Sequence, residues 1–263
     1  MQRDYARSRC RISWWRLFER RTPLRQVSLA CLNQDGLADD PITQGNYREA
    51  LNIAELAARK IGVQAPVELT LVYALLLAYP HPGMPTSELA ANTKHARDML
   101  DGIHETYRRA RGNKEDMAAL RGAANDPLVF VQLAKLWQTE NLEKAVAAYQ
   151  TAIEIDSRLR VGKDQSEDLA GLKMSNNLAT LYMLQGNVDG AMQMYEQVVA
   201  TLGEPTGKAQ EHFRTTLLYN LGRAYEDSND VVRASDAYQT LLASHPEYVN
   251  GESPEGEVDG ILR

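Results

Sequence analysis

LLYNLGRAYEDSNDVVRASDAYQTLLASHP, residues Leu217–Pro246, decides how the whole chain is read. Leu221, Gly222 and Tyr225 stand at offsets 0, +1 and +4; Ala234, Tyr238 and Leu241 stand at 0, +4 and +7, and Pro246 closes the stretch. Both sets have helical spacing, which puts their members on one face of a helix. The same spacing is written twice more upstream. Leu178, Ala179 and Tyr182 precede Ala191, Tyr195 and Val198, and Leu133, Ala134 and Trp137 precede Ala145, Tyr149 and Ala152. In each copy two small residues fall where the paired helices must cross: Gly222 with Ala234, Ala179 with Ala191, Ala134 with Ala145. A larger side chain there would hold the backbones apart. The aromatics at the remaining positions are sized to fill the space between neighbouring copies.

The offsets match the tetratricopeptide pattern. They predict an all-α solenoid of antiparallel helix pairs over residues 41–246, with repeats at 67–108, 127–156, 166–200 and 209–246 and a half repeat at 46–61. In the half repeat Asn46 caps a helix carrying Ala50, Ala54 and Ala57; in the next, Tyr73, Ala74 and Leu77 pair with Ala96, Leu100 and Ile103 across a loop from Pro80 to Pro85. Residues 108–125 are polar and mixed in charge, and read as a solvated helix continuation plus a loop. Asp126-Pro127 then opens a helix, with an acid at the N-cap and proline in the first turn.

Leu133 to Leu178 is 45 residues and Leu178 to Leu221 is 43, against a period of about 34 for this repeat type. The surplus falls in Glu154–Lys173 and Leu202–Thr215, where some helices are predicted to be extended, with Gly203–Gly207 as a turn. No polar capping helix follows the last repeat, so its outer apolar face is expected to be covered by another chain, or the sequence to be part of something longer.

The net charge of −6 is unevenly spread. Residues 1–25 hold eight Arg against Asp4 and Glu19, a net +6, which leaves −12 for residues 26–263. Residues 1–40 read as a basic, poorly ordered segment, either a plain leader or a targeting arm of the mitochondrial kind. Residues 247–263, with Glu247, Glu252, Glu255, Glu257 and Asp259, read as an acidic disordered tail. An acidic body argues against direct nucleic-acid binding. The longest apolar run, Val67–Tyr79, is 13 residues and contains Glu68 and Thr70, so no membrane span is expected. Cys10 and Cys31 have no partner at metal-ligand or redox-motif spacing.

Catalytic patterns are missing. His81, His95, His104, His212 and His245 are scattered, without paired spacing on a helix face. Gly203–Lys208 is one residue short of a phosphate loop and has no strand before it. The expectation is a protein that is not an enzyme, uses no cofactor and holds no metal. An array of this kind binds through the exposed residues of its first helices, which line a groove. The candidate groove residues are Lys135, Lys173, Asn177, Thr180, Thr216, Asn220 and Arg223. Asn177 and Asn220 fall at the same place in consecutive repeats. Their amides could pair with the backbone of an extended peptide, or tie neighbouring helices together; both readings stay open. Lys173 and Arg223 would suit an acidic partner segment, although the full Lys/Asn/Lys/Arg set that clamps a terminal carboxylate is not present.

Several strings go beyond the generic repeat. Leu133-Ala134 reaches Ala145 at an offset of 12 rather than the 13 of the next two copies, and continues Ala148-Tyr149 and Thr151-Ala152. Then come Asn176-Asn177-Leu178, Gly186-Asn187, Thr215-Thr216, Tyr219-Asn220-Leu221, Arg223, Tyr225-Glu226 and His245-Pro246-Glu247-Tyr248-Val249. Over about residues 126–250 this series resembles the tetratricopeptide scaffold subunit of the RNA polymerase II-associated factor complex. The resemblance implies a nuclear scaffold whose partners are the other subunits of that complex, in transcription elongation and co-transcriptional histone modification. Members of that family are several times longer, so the resemblance implies a fragment, a truncated gene model or a short paralogue. The alternative is a generic tetratricopeptide adaptor or co-chaperone in the cytoplasm or mitochondrion, addressed by residues 1–25.

Overall fold

The computed structural model describes residues 67–78, 80, 84–160 and 169–244, together with 51, 55 and 56. The basic segment 1–40, nearly all of the half repeat 46–61, His81, His245, Pro246 and the acidic tail 247–263 lie outside the described residues. Among those described, helices and one short 3-10 turn account for all regular structure, and there is no strand. The chain divides into two compact units, residues 1–125 and 126–263.

In the first unit α1 (Val67–Ala78) packs against α2 (Thr86–Ala110), followed by the short α3 (Lys114–Ala119) and a 3-10 turn at Gly122–Asn125. These two long helices are the pair read at 67–108. Tyr73, Ala74 and Leu77 of α1 are buried, as are Ala96, Leu100 and Ile103 of α2. Tyr73 also meets His95 edge-on, its hydroxyl 3.1 Å from Nε2. The polar stretch after residue 108 is short helix and turn, started by Asn113, whose side chain accepts from the Glu115 and Asp116 amides.

The second unit is three helix pairs in a row. They are α4 (Pro127–Trp137) with α5 (Leu142–Leu159), α6 (Leu169–Leu184) with α7 (Val188–Leu202), and α8 (Lys208–Asp227) with α9 (Val231–Ser244). Each pair packs internally, α5 also packs on α6 and α7 on α8, and α6 touches α8. Acceptor side chains mark the helix starts. Asp126 accepts from the Leu128 amide with Pro127 in the first turn, Asn141 from Lys144, Asn187 from Gly190 and Asp230 from Arg233. Each satisfies an amide that the first helical turn leaves without a partner. The Asp230 carboxyl is held below the usual carboxylate range, first by that amide and then by the Arg233 side chain.

The shortened first turn has a visible cause. In the second and third pairs a residue in the left-handed region ends the first helix, Gly186 at φ 75° and Asn229 at φ 61°. The next amide then reaches back five residues, Asn187 to Tyr182 and Asp230 to Tyr225, the wide closure of a Schellman cap. In the first pair no left-handed residue intervenes, and Asn141 reaches back only four, to Trp137. One residue fewer is needed.

Ala134, Ala145, Ala179 and Ala191 are each fully buried at the crossings, and Ala234 is 4 % exposed. A Cβ added at Gly222 would lie 2.4 Å from Cε1 of Tyr238, so glycine is what lets that ring lie against α8. Where it is described, the surplus between repeats is helix on both sides of a turn at Gly203–Gly207 and, in the earlier segment, helix up to Leu159 and from Leu169. α5 runs 18 residues and α8 runs 20, and Leu172, Leu202 and Phe213 bury an added apolar layer there. The face of the last helix also differs from the expectation of an uncovered apolar surface. Ser235, Asp236, Gln239 and Thr240 of α9 are exposed, with Val231 and Val232 the exposed large apolar residues at its start. The helix carries its own polar face.

Tyr149 and Tyr195 sit in this core, and burial pushes both hydroxyls up to about 12. A folded-state value above the unfolded one near 10 leaves stability intact below pH 10. Between pH 10 and 12 the unfolded chain loses these protons while the folded one keeps them. Each tyrosine then withdraws roughly 2–3 kcal/mol. Alkaline titration followed by circular dichroism should show helix loss in that window, displaced to higher pH in Tyr149→Phe. An unshifted transition would remove Tyr149 as a cause.

Candidate functional site

Aligning Leu133, Leu178 and Leu221 brings α4, α6 and α8 into a common register. Positions five before, one before and two after that leucine are at offsets 0, +4 and +7, one stripe on each helix. On α4 they are Leu128, Gln132 and Lys135; on α6 Lys173, Asn177 and Thr180; on α8 Thr216, Asn220 and Arg223. All seven candidate residues therefore belong to one three-by-three set. Leu128, 43 % exposed, and Gln132 complete the set without carrying a charge or a repeated asparagine amide. The register alone would have found both.

Lys135, Lys173 and Arg223 are exposed, whereas Gln132, Asn177, Thr180 and Asn220 are half-buried. Thr216 was expected to line the groove, but it is buried, and its hydroxyl donates to the His212 carbonyl at 3.3 Å. A threonine satisfied by its own helix presents little to a ligand. Thr180 donates in the same way to the Asn176 carbonyl, and its oxygen lies 2.9 Å from the Tyr195 hydroxyl.

The two asparagines are both tied backwards by one repeat. Asn177 donates to the Tyr149 hydroxyl at 3.3 Å, and Asn220 donates to Oδ1 of Asn176 at 3.0 Å. Asn176, 4 % exposed, in turn donates to Oδ1 of Asn177 at 3.3 Å. Tyr149, Asn177, Asn176 and Asn220 form a polar ladder across three repeats. Each amide has two donors and two lone pairs, so these ties leave Asn177 and Asn220 with one N–H each for a ligand.

Removing Asn220 strands Oδ1 of the buried Asn176, which costs about 1–3 kcal/mol. Asn220→Ala should therefore lower the urea midpoint. Because the two side chains share one bond, Asn220→Ala with Asn176→Ala should fall short of additivity by at least about 0.5 kcal/mol. Strict additivity would mean that the bond carries no stability.

Second helices also reach forward to the next repeat. Glu196 of α7 accepts from the Tyr225 hydroxyl at 2.8 Å and from Arg233 at 3.2 Å, and Arg233 lies 4.6 Å over the Tyr225 ring. Burial, then the bond to Glu196, push Tyr225 up to about 12. Gln150 of α5 similarly donates to the Tyr182 hydroxyl of α6 at 3.0 Å. Near the stripe, Arg223 reaches the Tyr219 hydroxyl and lies 3.9 Å from Glu226. The hydrogen bond to Tyr219 is the largest cause holding its guanidinium above the usual value.

A cavity of about 500 Å³ opens at the start of α8, lined by Pro205, Lys208, Arg214, Leu218 and Leu241 among others. Its Arg214 is bonded to Glu204 at 2.7 Å. Gly203–Gly207 here is a turn between helices, with Gly203 at φ 62°. Among the described residues no three His, Cys, Asp or Glu gather where they could hold a metal ion. No described helix is long and apolar enough to cross a membrane.

Family models described as tetratricopeptide repeat match residues 136–158, 172–203 and 216–248. The last two segments fall on the second and third helix pairs of the second unit and the first on the end of α4 and on α5, and the unit is a tetratricopeptide solenoid. Among solved structures, the MamA protein is similar at 14 % identity, with 88 % of this chain and 96 % of that one covered and a TM-score of 0.48. BtubC from P. vanneervenii is similar at 20 % identity, covering 82 % and 95 %, with a TM-score of 0.43. A Podosopora anserina chain of nearly identical TPR-like repeats is similar at 19 % identity, covering 78 % and 97 %, also at 0.43.

Proposed function

We propose that this chain is a non-catalytic scaffold that holds protein partners in the nucleus, in the transcription-elongation machinery of RNA polymerase II. The tetratricopeptide solenoid supports the general part, since repeats of this kind present the faces of their first helices to other proteins. Here those faces are the stripe from Leu128 to Arg223. The specific part rests on one observation, the resemblance over about residues 126–250 to the scaffold subunit of the polymerase-associated factor complex. The shortened first turn, Asn176-Asn177-Leu178 and Tyr219-Asn220-Leu221 are its carriers. On this reading the direct partners are other subunits of that complex, and the polymerase is reached through them.

A second reading, a generic adaptor or co-chaperone in the cytoplasm or mitochondrion, is favoured by the eight Arg of residues 1–25. Affinity purification of the tagged full chain from its own cells, with mass spectrometry of what accompanies it, separates the two. The polymerase and its associated elongation subunits are the expected result. Recovery of chaperones or organellar assembly proteins alone would replace the first reading with the second.

A further inference from the structure

We propose that the cavity at the start of α8 is the seat of the chain's own segment 245–249, with Tyr248 and Val249 against Leu218 and Leu241 and Glu247 beside Lys208. The proposal goes beyond the scaffold reading and does not depend on it.

The cavity lies where α8 begins and α9 finishes, at one end of the third pair. Leu218 and Leu241 in its wall are buried, whereas Lys208 and Ser244 are exposed. About 500 Å³ of space therefore runs from an apolar floor to a charged rim. Space of that size is out of keeping with dense interior packing.

One repeat earlier the matching walls are closed. The shift of 43 residues that carries Leu178 onto Leu221 also carries Leu172 onto Thr215 and Val198 onto Leu241. Leu172 and Val198 belong to one buried cluster with Leu202 and with Phe213, an aromatic supplied by the chain that follows α7. Thr215 and Leu241 line the cavity instead. The aromatic that the following chain gives the second pair has no described counterpart in the third.

The next aromatic after α9 is Tyr248. Ser244, the last residue of that helix, is itself in the cavity wall. Pro246 has no amide proton and disfavours helix at His245, so the chain leaves the axis of α9 there. At about 3.3 Å per extended residue, Tyr248 is within about 13 Å of Ser244. Between residues 245 and 257 the large apolar side chains are Tyr248 and Val249 alone, which match the apolar floor.

Charge agrees. Residues 245–263 carry five acids against Arg263, and Lys208 is exposed and forms no ion pair with another described residue. Arg214 is already held by Glu204 at 2.7 Å. With Glu211 also in the wall, two acids balance the two cations, so the cavity offers no net field to a free anion. A segment that joins one carboxylate to two apolar side chains suits it better.

The test uses the full chain with Tyr248 replaced by the photocrosslinker p-benzoylphenylalanine. Isotope-labelled and unlabelled chains are mixed before irradiation, and the links are mapped by mass spectrometry. Links within one chain from position 248 to residues 205–218 are expected. In a second experiment, Tyr248→Ser combined with Val249→Ser should make the Gln210 and Glu211 amides, which bond to the Gly207 carbonyl, exchange hydrogen about tenfold faster. Amides of α5 should be unchanged, and Tyr248→Phe should keep the original rates. Links between labelled and unlabelled chains would make a second copy the occupant and overturn the proposal. Links confined to residues 241–244, or exchange unaltered by the double serine variant, would overturn it as well.

Discussion

Ala191→Trp is expected to melt the second unit on the order of 10 °C lower, because it adds an indole where two helices touch through alanines. Ala191 of α7 and Ala179 of α6 are each 0 % exposed and belong to one apolar cluster with Tyr195, Leu217 and Leu221. Overpacking a dense core usually costs about 1–3 kcal/mol for far smaller additions. A whole indole has no space to enter except by parting α6 from α7. Ala200→Trp on the same helix is the control, since Ala200 is exposed, and surface replacements usually stay within about 0.5 kcal/mol. Scanning calorimetry of the pair reads the answer directly. Equal melting of the two variants would mean that the helix crossing does not run through Ala191.

Tyr149→Ala is the second large effect. The ring is 0 % exposed, held between its own pair and the next repeat, and removing a buried aromatic costs about 3–5 kcal/mol through lost transfer energy and an unfilled cavity. Its hydroxyl adds a separable part, the bond to Asn177. Tyr149→Phe keeps the ring and removes only that bond, leaving a half-buried amide that water can reach, so about 0.5–1.5 kcal/mol is expected. Urea unfolding of both should place most of the loss in the ring. If Tyr149→Phe lost as much as Tyr149→Ala, the ladder and not the packing would be the stabilising element.

These expectations mark how far the sequence could be read. Periodicity reports which residues of one helix share a face, so the helix pairs, their small crossing residues and the start at Asp126-Pro127 were all legible. The odd offset of 12 was visible too, although its cause, a turn without a left-handed residue, needed coordinates. The cross-repeat bonds were not legible. Asn220 and Asn176 are 44 residues apart, and nothing in either helix names the other as partner. For the same reason the two readings of Asn177 and Asn220, peptide ligands or helix ties, could not be separated in advance. The structure shows both tied while each retains donor capacity, so the two roles need not exclude each other. The burial of Thr216 was not legible either, because position along a helix gives direction but not depth.

The ladder from Tyr149 to Asn220 has a geometric consequence. Apolar surfaces can slide past one another by a fraction of an ångström at little cost, so a solenoid joined only by them can flex like a spring. A hydrogen bond is intolerant of such slippage, since its strength falls quickly with length and angle. Here the first helices α6 and α8 are pinned to each other by amides, and the second helix α7 is pinned to the next pair by Glu196 with Tyr225 and Arg233. At the junction of the second and third pairs, pins on two sides resist both translation and rotation of one repeat against the next. That junction is built as a ruler rather than a spring, its interval set by hydrogen-bond length.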